Sequence, residues 1–293
     1  MKLAVSGQVF AGSLTLDQTL ETIRKYRVTS IEIWPGNISP LEGASVSPDA
    51  YEGRNIMEAK AVLDRHGFEV ACVSMSAAFD YEIASDPAKY GAALEYAIEV
   101  AAMLGAERVN HYCYNLCLDP EPDMDGLKRI MKPAIRRAEA AGIMLCLENE
   151  AHDATRTAEG VLKIVEGMDS SHFKTNFDAA NYVHAGQEGF PRAYNLLQEH
   201  IAYVHLKNGC IYDSNSGHDP RSKGGNMTGA FAPNDIYYPP LPDGSVNIDG
   251  LLQRLRRDGY QGYCTIEPHT KPELAEHYLE IETAYVRERG YFL

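Results

Sequence analysis

The feature that most limits what this chain can fold into is a phrase it repeats. A helix-forming stretch ends, a glycine follows, and a short apolar run begins. It reads DRHGFEVACVSM from Asp64, AAMLGAERVNHY from Ala101, EAAGIMLCLEN from Glu139 and RRDGYQGYCTIE from Arg256. Glycine there accepts the left-handed backbone that closes a helix, and Arg or Lys just ahead of it complements the helix dipole. Extending the pattern along the chain predicts eight strand-plus-helix units. The strands lie near 3–6, 30–34, 69–75, 107–113, 143–149, 173–178, 202–207 and 262–267. The helices lie near 16–27, 50–66, 87–104, 123–141, 158–168, 191–199, 248–258 and 272–289. Thr15 with Gln18 forms a capping box, and Asp86 stands ahead of Pro87 at a first-turn position. Leu94, Ile98, Ala101 and Leu104 recur at helical spacing and define one inward stripe.

Strands that alternate with helices run parallel, with the helices as outer crossovers. Eight such units in 293 residues make an α/β chain, a single-domain (β/α)8 TIM barrel over residues 1–293. An open doubly wound sheet would carry a glycine-rich phosphate loop after its first strand. GQVFAGS, from Gly7, lacks that spacing. One connection breaks the economy. From about 208 to 246 the chain has no periodicity and is rich in Gly, Asn, Pro and Tyr. Following strand seven it would lie on the catalytic face, so it reads as a lid.

Composition removes several partners. Asp and Glu number 41 against 27 Lys and Arg, a formal net charge of −14, which repels phosphate backbones and anionic membranes. No apolar run reaches membrane-spanning length, and the start has no signal-peptide core. The expectation is a soluble cytoplasmic protein with a small-molecule substrate, no nucleic acid and no membrane partner; self-association is left open. The six cysteines form no Cys-x-x-Cys pair and read as buried free thiols in a reducing compartment.

Barrel chemistry sits at the C-terminal ends of the strands, so each end is read for an inward polar residue. Strand parity turns Leu145 and Leu147 outward and Met144, Cys146 and Glu148 inward. By the same alternation Asp178 ends strand six inward, His205 and Lys207 point inward on strand seven, and Glu267 on strand eight. Three carboxylates converging in a partly dry mouth would repel one another, and a divalent cation relieves the conflict. Oxygen donors with one imidazole suit manganese, magnesium, cobalt or iron better than a thiolate-type zinc site. Glu150, two residues beyond Glu148, has the same parity and is its rival. Trp34 ends strand two inward beside Glu32, where it could stack on a sugar or simply fill the barrel. Asn110 and His111 end strand four with ambiguous parity. His184 and His269 lie in strand-end segments within reach of a substrate, and Lys207 could polarise a carbonyl.

Taken in order, LCLENE, FDAAN, YVHLKNG and TIEPH resemble the sugar phosphate isomerase/epimerase family with the xylose-isomerase-like barrel, and the likeness spans essentially the whole chain. The resemblance implies that Glu148, Asp178, His205 and Glu267 hold one divalent ion, Mn2+ first, with Mg2+, Co2+, Fe2+ or Zn2+ as alternatives. It implies that Glu148 and Glu267 work on opposite faces of a planar, metal-stabilised enediolate. The expected activity is isomerisation or epimerisation of a sugar or sugar-like polyhydroxy carbonyl compound. The alternatives are an inosose-dehydratase-like lyase and a non-catalytic sugar-binding barrel. Lys207, His111, Trp34, Asn181, His184 and His269 are the expected substrate contacts. Two positions depart from the ketose 3-epimerase pattern. Asn181 stands where those enzymes have a histidine, and Ile211 where they have an arginine. The endonuclease branch also carries a histidine where Asn181 stands, which with the charge argues against DNA.

Overall fold

The computed structural model describes residues 1–211, 227–228 and 236–292. Eight strands form a closed parallel barrel: β1 (Lys2–Ser6), β2 (Ser30–Ile33), β3 (Glu69–Ser74), β4 (Arg108–His111), β5 (Met144–Glu148), β6 (Phe173–Asp178), β7 (Ile201–Leu206) and, last in the chain, β11 (Tyr263–Ile266). Pairing of β1 with both β2 and β11 closes it. Between β7 and β11 a three-stranded sheet is inserted, made of β8 (Cys210–Ile211), β9 (Met227–Thr228) and β10 (Ile236–Tyr237). The helices are α1 (Leu16–Lys25), α2 (Ile56–His66), α3 (Tyr81–Ala84), α4 (Pro87–Leu104), α5 (Met124–Ala141), α6 (Ala158–Met168), α7 (Ala179–His184), α8 (Tyr194–Leu197), α9 (Ile248–Arg257) and α10 (Ala275–Glu288). Among the described residues no helix is long and apolar enough to cross a membrane.

The local signals act as their chemistry requires. Thr15 and Gln18 close a reciprocal capping box on α1, and Asp86 accepts the amides of Ala88 and Lys89 ahead of Pro87. Gly67, Gly105, Gly142 and Gly259 all hold positive φ at the helix ends. Leu94, Ile98, Ala101 and Leu104 are buried, and the apolar core fills the layer between strands and helices. Inside the barrel, Ala4, Ala71, Cys72, Cys146, Tyr203 and Tyr263 form a separate apolar floor.

Three elements differ from the sequence expectation. The helix expected from 50 begins at Ile56, because Asn55 caps it and the Arg54 guanidinium donates to the carbonyls of Ala50, Ile38, Ser47 and Pro48. The helix expected over 191–199 is α-helical only over α8, with a π-helical turn before it (Gly189–Ala193) and a 3-10 turn after it (Gln198–His200). Helix α7 was not expected, and the site depends on it. The lid expected over about 208–246 falls largely outside the described residues. Its described ends meet at a neck. The Asn208 side chain donates to the carbonyls of Leu241 (2.7 Å) and Val246 (3.0 Å) and accepts from the Val246 amide (2.9 Å). A Cβ on Gly244 would stand 2.1 Å from the Asn208 amide, so glycine makes room for the clamp.

Candidate metal centre

Strand register brings the candidate ligands to one level. Asp178 on β6 pairs with His205 on β7, and His205 with Thr265 on β11, two residues before Glu267. Glu148 ends β5. Glu148, Asp178, His205 and Glu267 are all buried, and each offers a ligand atom within 4.8 Å of the others. Parity therefore acts as expected at all four positions.

Local structure fixes each side chain. One Asp178 oxygen, Oδ1, caps α7 by accepting the amides of Ala180 (2.8 Å) and Asn181 (3.1 Å). That leaves Oδ2 to face the cluster, where Lys207 Nζ lies at 2.9 Å. The Asn149 side chain locks the same turn by bonding both the amide and the carbonyl of Asp178. Glu148 accepts from Asn110 Nδ2 at 2.7 Å on Oε2 and from Asn181 Nδ2 at 3.3 Å on Oε1. His205 Nδ1 lies 3.1 Å from Glu148 Oε1 and 3.5 Å from Glu267 Oε2. Lys207 Nζ is also 2.9 Å from Glu267 Oε2.

The electrostatics follow from crowding like charges in a dry site. Burial works against an ionised Glu148, but His205 and Lys207 outweigh it and hold the carboxyl at about 2. Burial, reinforced by Glu148 and Asp178, lifts Glu267 to about 7. Burial disfavours a charged His205 ring, yet Glu148, Glu267 and Glu32 together raise it well above its ordinary value. Glu150, which has no place in the cluster, is raised by burial and by Glu148. Among the described residues, the cations that face the three cluster carboxylates are His205 and Lys207. A three-oxygen, one-imidazole set at mutual distances this short fits a divalent ion, which would take over their charge balance.

The expected substrate contacts separate into groups. Lys207 and Asn181 touch the cluster directly. His184 and His269 gather around Tyr238, whose hydroxyl is 3.4 Å from His184 Nδ1 and whose ring centroid is 4.4 Å from that of His269. Burial and Lys207 lower His269 to about 3, so it stays neutral. Trp34 is buried, donates from Nε1 to Ser6 Oγ, and lines a cavity of about 600 Å³ with Gln8, Asn37, Ser76 and Phe79 on the same barrel face. His111 is placed elsewhere. Its ring packs against Phe173 and its Nδ1 meets Tyr90 of α4, so it faces the helix layer. Asn110 takes the inward position on β4, reaching Glu148 and Ser74, and its carbonyl oxygen accepts from Asn176. Parity on β4 is set by this polar layer, which the apolar Val109 and Tyr112, on opposite parities, concealed. Glu32, 3.1 Å from His205 Nε2, was not expected at the site either. A lone glutamate in the apolar run SIEIW was the available signal.

The family model described as a xylose isomerase-like TIM barrel matches residues 20–288. Among solved structures the chain is similar to D-allulose 3-epimerase from Methylomonas sp., at 15% identity and a TM-score of 0.71, over 99% of this chain and 98% of that one. It is similar to the probable 3-DHS dehydratase AsbF from Bacillus anthracis, at 16% identity and a TM-score of 0.70, over 98% and 99%. It also resembles the 3-keto-D-glucoside 4-epimerase YcjR from E. coli, at 16% identity and a TM-score of 0.67, over 98% and 99%. At these identities the likeness is one of fold. Among curated proteins none matches the sequence. With that model spanning nearly the whole chain, and a four-residue cluster of potential metal ligands at the strand ends, the chain belongs to the xylose isomerase-like TIM-barrel family.

Proposed function

We propose that this chain is a metal-dependent isomerase or epimerase that moves a proton on the carbon beside a carbonyl of a sugar or keto-polyol. The observation that carries the reading is the placement of Glu148 and Glu267, which approach His205 Nδ1 to 3.1 and 3.5 Å from non-adjacent strands of the barrel. Two carboxylates so separated can take a proton from one face of a planar group and deliver one to the other. A divalent ion held by Glu148, Asp178, His205 and Glu267, manganese by preference, would supply Lewis-acid polarisation of the carbonyl. The Asn110 and Asn181 amides hold the plane of the Glu148 carboxylate. Lys207 carries an ammonium between Asp178 and Glu267, from where it can turn to a substrate oxygen. Asn181, His184, His269 and Trp34 complete the substrate set, while His111 is left out of it. A small polar metabolite and a net charge of −14 fit a cytoplasmic protein with no nucleic-acid partner.

The experiment is turnover in heavy water with added manganese across keto-sugars and inososes. The expected product carries deuterium on the carbon beside the carbonyl. Glu148→Gln and Glu267→Gln should each lose turnover by about 100-fold or more while still retaining some metal. Product without solvent deuterium would show a hydride shift and remove the role given to the two glutamates. Product lacking one water would assign the lyase alternative, in which the same proton removal expels a β-hydroxyl. Tight binding with no turnover would make the chain a sugar-binding barrel.

A further inference from the structure

The polar layer above the barrel floor holds one carboxylate that the proposed chemistry does not use. Glu32 lies on β2, fully buried, across the barrel from His205. A carboxylate taken out of water is strongly disfavoured unless something pairs with it. Among the described residues its one ion-pair partner is the His205 ring, with Nε2 at 3.1 Å from Glu32 Oε1. Ser74 Oγ donates to the same oxygen at 2.6 Å, and Asn110 Nδ2 reaches Ser74 Oγ at 3.3 Å. Asn110 also donates to Glu148, so one hydrogen-bonded chain runs from Glu32 through Ser74 and Asn110 to the carboxylate on the far side of the imidazole.

The two ring nitrogens of His205 therefore face different groups. Nδ1 faces Glu148 and Glu267, and among the described residues the ion-pair partner of Nε2 is Glu32. A neutral imidazole binds a cation through the nitrogen that has no proton, and its tautomer is set by what the other nitrogen bonds. We propose that Glu32 is a positioning residue of the metal centre: it accepts the Nε2 proton of His205, so that the ring presents Nδ1 to the ion. This rests on the reading of the cluster as a metal centre. It gives the isolated glutamate of SIEIW a role without placing it in contact with ion or substrate. Ser74 is then the group that orients the Glu32 carboxylate, and β2 contributes to a site whose ligands all come from β5 onward.

The test uses the whole chain loaded with Zn2+, a diamagnetic probe, and labelled with 15N at histidine. Two-bond proton–nitrogen spectra, with the His205 signals assigned by their loss in His205→Gln, should show a proton on Nε2 and the ion on Nδ1. Chelator competition should give Glu32→Ala a Zn2+ affinity about 10- to 100-fold below wild type, the range for loss of a carboxylate behind a ligand histidine. Glu32→Gln keeps an acceptor oxygen and should lose less while retaining the Nε2–H signature, which a merely structural role would not predict. If Glu32→Ala does not fold, the wild-type tautomer and Glu32→Gln still decide the matter. Zn2+ on Nε2, or a Glu32→Ala protein with wild-type affinity and tautomer, overturns the assignment and leaves the metal centre standing. A wild-type protein that takes up no Zn2+ overturns both.

Discussion

At the residue scale, Asp178 shows how one side chain can serve fold and site together. Its Oδ1 caps α7 while Oδ2 faces the cluster. The two duties can be separated, because asparagine is as good a cap as aspartate and carries no charge. Asp178→Asn should lose the metal, measured by elemental analysis after dialysis, while its melting temperature in chelator stays near that of wild type. Asp178→Ala should lose the metal and in addition about 1 kcal/mol of stability from the cap. Full metal occupancy in both variants would remove Asp178 from the ligand set. Its ligand role was legible from FDAAN and strand parity. Its capping role was not, because nothing apolar and periodic announces a helix as short as Ala179–His184.

At the scale of elements, the insertion between β7 and β11 is closed by a neck rather than left as an open loop. Asn208 holds Leu241 and Val246 through three buried bonds, a fourth goes to the Gly209 amide, and Ser245 bonds Gly209 by its own amide and hydroxyl. Each such bond is worth about 0.5–1.5 kcal/mol, and a buried partner left unsatisfied costs more. Asn208→Ala should therefore lower stability by about 2–4 kcal/mol, read as a fall in the urea midpoint at unchanged slope. A midpoint equal to that of wild type would mean that the neck opens freely in solution. The sequence marked this stretch by its lack of periodicity. The pairing of its two ends joins residues too far apart in the chain for any local pattern to reveal.

At the scale of the whole molecule, the barrel gathers charges that no single element could tolerate. Four buried carboxylates, counting Glu32, face His205 and Lys207 across strands β2, β5, β6, β7 and β11. An ion that binds only the folded barrel stabilises it by mass action, about 2.7 kcal/mol at 100 times its dissociation constant. Manganese should thus raise the melting temperature in a concentration-dependent way, chelator should reverse the shift, and Asp178→Asn should abolish it. A melting temperature indifferent to manganese would contradict a metal centre in the folded state. What the sequence by itself determined was periodic or local: the helix caps, the glycine-to-strand phrases, the count of eight units, and the parity that turns Glu148, Asp178, His205 and Glu267 to one axis. These follow from a repeat of two along strands and 3.6 along helices, which any stretch of chain displays. What only the tertiary structure decided was across-barrel and side-chain specific: His111 against α4 with Asn110 inward, Lys207 between two carboxylates, and Glu32 behind His205. Those contacts join residues up to 173 positions apart, and their geometry depends on closure of the sheet through the β1–β2 and β1–β11 pairings, which brings β2 round to within reach of β7.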